Sequence, residues 1–155
     1  MSDTGEQRTG AATSISIVSG YFNPLHIGHL RMIEAARKLG DRLFVIVNND
    51  HQQMLKKGRI IMPLDDRLEI VSALRIVDEA LPAIDTDPTV KQTLASLRDR
   101  FPDEILIFAN GGDRSDVASV AESAICELLD IQLVLGVGGT EKADSSSRIN
   151  DELDV

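Results

Sequence analysis

Short runs of apolar residues alternate along this chain with segments of helical periodicity. Residues 14–19, SISIVS, and 42–48, RLFVIVN, are brief and β-branched, and read as buried strands. Residues 104–109, EILIFA, and 131–137, IQLVLGV, read the same way, and 78–84, DEALPAI, reads as a strand interrupted by Pro82. Helical spacing covers 27–39, with Gly40 suited to a C-terminal cap, and 63–76, with Pro63 at the first helical position and acids in the first turn. It also covers 88–100 and 115–130. Residues 49–60, NDHQQMLKKGRI, are polar and basic and read as a loop. Strands that alternate with helices predict parallel pairing, right-handed crossovers and a doubly wound five-stranded α/β sandwich with helices on both faces. The expected divisions are a flexible tail over 1–13, one domain over 14–150 and a short tail over 151–155.

Composition narrows the picture. At 155 residues the chain is one ordinary domain, and with 3% aromatic residues its core must be aliphatic. A net charge of −9 argues against a general nucleic-acid binder, but it leaves room for a small anion in a local positive pocket. The single cysteine, Cys126, cannot form an internal disulfide and reads as a small core residue. No apolar run has the length of a membrane span, and the first residues lack a signal-peptide pattern, so a cytoplasmic protein is expected.

The chemistry gathers after the strands. Ligands of such sheets sit at the carboxyl ends of the strands. Those ends carry GYFNPLHIGH, NNDHQQMLKKGR, NGGDRSD and GVGGTEKADSSSR. Two of the chain's 3 histidines, His26 and His29, flank the start of the first helix. There, backbone N–H groups and the helix dipole favour an anion, and two imidazole donors would complete a phosphate cradle. Gly20 and Gly28 would permit close approach. His51 has no motif around it and reads as a solvated loop histidine.

GYFNPLHIGH resembles the G-x-F-[DN]-P-x-H-x-G-H signature of the nucleotidyltransferase superfamily, in its small cytidylyltransferase-like branch. The resemblance spans roughly Ser14 to Arg148. It implies a Rossmann-like doubly wound parallel sheet that catalyses transfer of a nucleoside monophosphate from an NTP to a small phosphorylated acceptor, with release of pyrophosphate. CTP is slightly favoured over ATP. It further implies a Mg²⁺ cofactor bridging the triphosphate, and a homodimer. His26 and His29 would donate to the phosphates, with Gly20, Tyr21, Phe22, Asn23 and Gly28 shaping the nucleotide site. Asn23 stands where an Asp is more familiar.

Other segments resemble the branch in turn. In MLKKGR, Lys57 is taken as the catalytic cation and Lys56 as a nucleotide contact, with Arg59 a third candidate. Asn49 and Arg67 are taken as acceptor contacts, although Arg67 could instead pair with Asp65 or Asp66. NGGD places Gly112 and Asp113 at the nucleotide and resembles the heptose-phosphate adenylyltransferases. Ser145, Ser146, Ser147 and Arg148 match a phosphate-holding segment near the end of the chain. Just before it, GTEKAD departs from the branch, with no Arg preceding Thr140. Two alternatives follow: NGGD and Asn23 support an adenylyltransferase with a sugar-1-phosphate or FMN-like acceptor, and the GTEKAD departure supports a nucleotide-binding regulatory protein without turnover.

Overall fold

The computed structural model describes residues 13–111 and 120–138. Ten elements follow one another: β1 (Ser14–Gly20), α1 (Ile27–Arg37), β2 (Arg42–Val47), α2 (Asp50–Lys57), α3 (Leu64–Ser72), β3 (Glu79–Pro82), α4 (Lys91–Arg100), β4 (Ile105–Gly111), α5 (Ser123–Leu128) and β5 (Gln132–Val137). The strands form one parallel sheet in the order β3-β2-β1-β4-β5. The winding reverses between β1 and β4, and a crevice opens at the carboxyl ends there.

Burial on both faces explains the apolar runs. Ile15, Ile17, Phe44, Ile46, Leu106 and Phe108 pack on one face with Leu94 and Leu97 of α4 and Cys126 of α5. Val18, Leu43, Val45, Val47 and Ala109 pack on the other with Ile33 and Ala36 of α1 and Val71 of α3. Ser16 is buried in the second face because its hydroxyl donates to the Ala36 carbonyl, 2.8 Å away. Burial lifts the Cys126 thiol to a pKa of about 11, as suits an inert core residue.

Several boundaries differ from the sequence expectation. Residues 49–60 are not a loop, since most of them form α2. The helix was invisible to periodicity because its buried residues are Gln52 and Gln53, while Met54 and Leu55 are exposed. Gly40 does not cap α1, whose C-cap is Lys38. Gly40 instead lets the chain pass close to β1, where a Cβ would lie 2.9 Å from the Ser16 nitrogen. Pro63 is the N-cap of α3 rather than its first residue, and that helix ends at Ser72, short of 76. The helix expected from 88 begins at Lys91, and the described part of the one expected over 115–130 is Ser123–Leu128.

Candidate active site

The turn after β1 is shaped by one inward residue. Phe22 takes a left-handed backbone (φ 53) and is buried, with its ring lying over Gly20. A Cβ on Gly20 would lie 2.8 Å from that ring, so the glycine is required by Phe22. The same ring meets His29 edge-on at 4.9 Å between centroids. The Asn23–Pro24 bond is cis.

The two histidines form the cap of α1. His26 is the N-cap, and its Nδ1 accepts from the Gly28 N–H at 3.0 Å. The His29 Nδ1 accepts in return from the His26 N–H at 3.2 Å. This is a capping box built from imidazoles in place of the usual hydroxyl and carboxylate. The rings stack at 3.8 Å with an interplanar angle of 24°. Because each Nδ1 accepts, the proton of each neutral ring belongs on Nε2. Desolvation, and then the neighbouring His26, lower the His29 pKa to about 4, so His29 is neutral at physiological pH. The pair therefore presents N–H donors of fixed tautomer. Gly28 spends its own N–H on the cap.

Behind the histidines lies a buried network of amides around one arginine. Arg67 is fully buried, and its guanidinium donates to the carbonyls of Met62 (2.8 Å), Tyr21 (2.9 Å) and Asn48 (2.6 Å) and to the Asp50 carboxylate (2.9 Å). Its ionic partner is thus Asp50, while Asp65 and Asp66 are exposed. Asn23 donates to the Gln53 side chain and accepts from the Met62 N–H at 3.1 Å. Asn49 caps α2 by accepting from the Gln52 N–H, and its amide donates to the carbonyls of Ala83 and Asp85, each at 2.9 Å. Gln52 accepts from Asn48 and from the Asn49 N–H and donates to the carbonyls of Asp87 and Thr89. Asn23, Asn49 and Arg67 thus each hold the framework together. They tie the histidine turn to α2 and to the end of β3. Asn48, Asp50, Gln52 and Gln53 belong to the same framework and escaped the sequence reading. The signal was there as an unbroken polar run directly after a strand, where buried amides must satisfy backbone groups.

The cations sit on the last turn of α2. The Lys56 ammonium lies 4.5 Å from the centroid of the Tyr21 ring. Desolvation, followed by the charge of Lys57, lowers its pKa. Lys56, Lys57, Arg59 and His51 are all exposed as residues, and Gly58 closes the helix with φ 75. On the far side of the switch, α1 presses on the ends of β4 and β5. A Cβ on Gly111 would meet the Met32 sulfur at 2.6 Å, and one on Gly138 would meet its Cα at 3.0 Å. Gly112, Asp113, Ser145, Ser146, Ser147 and Arg148 lie outside the described residues. Among the described residues, no group of three or more His, Cys, Asp or Glu could hold a metal ion. None of their helices is long and apolar enough to cross a membrane.

Residues 17–149 match the model of the cytidylyltransferase-like family. The chain belongs to that family. It is 34% identical over 125 residues to the bifunctional protein HldE of Haemophilus influenzae, an alignment covering 73% of this chain and 26% of HldE. It thus spans about a quarter of that relative. It is 40% identical over 92 residues to FAD synthase of Thermococcus kodakarensis, covering 59% of each. A lipopolysaccharide core biosynthesis protein from Thermoplasma volcanium shares the architecture at a TM-score of 0.60 and 25% identity, covering 86% of this chain and all (100%) of that one. As a cytidylyltransferase-like domain, the chain keeps its histidine signature at the carboxyl end of β1, beside the reversal of winding.

Proposed function

We propose that this chain is a nucleotidyltransferase that moves a nucleoside monophosphate from an NTP to a small phosphorylated acceptor. The observation that carries the reading is the stacked histidine pair. Two imidazoles whose Nδ1 atoms are taken up by the cap, His29 neutral, offer Nε2–H donors at a helix N-terminus on the ligand side of the sheet. An acceptor phosphate is already an anion, so attack on the α-phosphorus needs no general base. The bond to pyrophosphate breaks as the new phosphoanhydride forms. What the protein must supply is alignment and donors for the charge on the non-bridging and leaving oxygens.

Mg²⁺, the expected cofactor, would offset the charge of the triphosphate when bound. The sequence favours CTP. The name FAD synthase, by contrast, describes a product with an adenylyl group, which makes ATP the first nucleotide to test and CTP the second. The test is a melt with Mg²⁺ and each NTP, followed by pyrophosphate release with phosphorylated acceptors. One nucleotide is expected to raise the Tm of the wild type and to lose that effect in His29→Ala. At a hundredfold excess over Kd the stabilisation should be about 2.7 kcal/mol. No shift with any NTP would end this reading.

A further inference from the structure

Tyr21, which follows Gly20, is only partly buried. Tyr21 directly precedes Phe22, whose ring touches His29, so its backbone belongs to the turn that carries the histidine pair. Its backbone is fixed, because the Tyr21 carbonyl accepts from the buried Arg67 at 2.9 Å. Its hydroxyl lies 3.5 Å from the Gln52 carbonyl, at the outer limit of a hydrogen bond. The ring face is covered by the Lys56 ammonium, 4.5 Å from the centroid. Consecutive residues of a helix do not share a face, so Lys57 cannot take the same seat.

Resting on the nucleotidyltransferase reading, we propose that Tyr21 is a positioning residue. Its ring seats the Lys56 ammonium beside the turn that carries the histidine pair and selects Lys56, not Lys57, as the cation that meets the triphosphate. An ammonium has three donors and the ring face takes one side of it, which leaves the other side for phosphate oxygens. A lysine stem is flexible, and holding its end in place before the ligand arrives removes an ordering cost from binding.

The chain has 1 tyrosine and no tryptophan, so its intrinsic fluorescence reports Tyr21 alone. Lys56→Met should change that emission in the free protein and Lys57→Met should not. A partly exposed cation–π contact corresponds to a factor of roughly two to five. Tyr21→Leu should therefore weaken Mg·NTP binding about two- to fivefold, and Tyr21→Phe, which keeps the ring, should bind like the wild type. In a Lys56→Met background, Tyr21→Leu should cost nothing further. The positioning role is overturned if the two substitutions are additive, if Phe binds as poorly as Leu, or if the coupling runs to Lys57. In each of those cases the wild type still binds NTP and the broader reading stands. If no NTP raises the wild-type Tm, the broader reading falls and the role falls with it, whatever the emission shows.

Discussion

His29 does two jobs with two nitrogens, and they can be separated. Its Nδ1 accepts from the His26 N–H, and its Nε2 carries the proton we assign to the phosphates. Asparagine can place an amide oxygen near the Nδ1 position but has nothing at Nε2. His29→Asn should therefore keep the helix cap and fold, yet lower kcat about 10²- to 10³-fold, the usual cost of one donor to developing oxyanion charge. Alanine should lose both the cap and the donor. The same residue gives the protein an acid limit. In the unfolded chain a histidine titrates near 6.5, whereas in the fold His29 resists protonation down to about 4. The unfolded state therefore binds the proton first as pH falls, and stability drops between those two values. Its contribution is complete above the upper value and gone below the lower one. The expected loss is about 2 kcal/mol after discounting for partial exposure. Urea melts across that window should show a shallower slope for His29→Asn than for the wild type.

At the scale of the element, α2 is the instructive case. The strands and the other helices follow hydrophobic rules, so alternation in the sequence was enough to predict the sheet and its helices. The His26–His29 signature was equally legible, because its chemistry sits in consecutive residues. α2 follows another rule. Its inward side chains are Gln52 and Gln53, which make 4 and 5 hydrogen bonds to Asn23, Asn48, Asp50 and the backbone of neighbouring loops. Such partners are distant in sequence, and no periodicity reports them. The Arg67–Asp50 pair was hidden for the same reason: beside Asp65 and Asp66 in sequence, Arg67 finds its carboxylate on another helix. A direct test is Gln52→Leu, which apolar patterning would favour. It would strand the Asn48 amide, the Asn49 N–H and the carbonyls of Asp87 and Thr89. Only the Asn48 amide is fully buried, so at about 1–3 kcal/mol for it and less for the part-buried groups, stability should fall by about 2 kcal/mol in chemical denaturation.

Across the whole molecule, the two ends of the sheet are held by different physics. At the carboxyl end, Arg67 is fully buried and binds Asp50 together with three backbone carbonyls. At the amino end, Arg100 reaches across to Glu79 of the edge strand with both guanidinium nitrogens, at 2.6 and 2.7 Å, but its side chain is 48% exposed. The geometry of the exposed pair is good, and the hydrogen bonds from Arg100 hold the Glu79 carboxyl below its ordinary pKa. Water and salt nevertheless screen it, so Arg100→Ala should cost no more than about 1 kcal/mol, less at high ionic strength. Arg67→Ala should cost about 3 kcal/mol with less dependence on salt, because it leaves three carbonyls facing a void, although the Asp50 carboxylate is 37% exposed and stays partly solvated. Arg67→Lys should recover only part of this, since one ammonium cannot reproduce a fork of planar donors. The contrast has a functional consequence. The network that Arg67 closes fixes the turn bearing His26 and His29 against the helix bearing Lys56. Its loss should raise hydrogen exchange in α2 and in the turn after β1 while the strands below stay protected. Equal loosening at both ends of the sheet would show that Arg67 supports the fold in general and not the ligand end in particular.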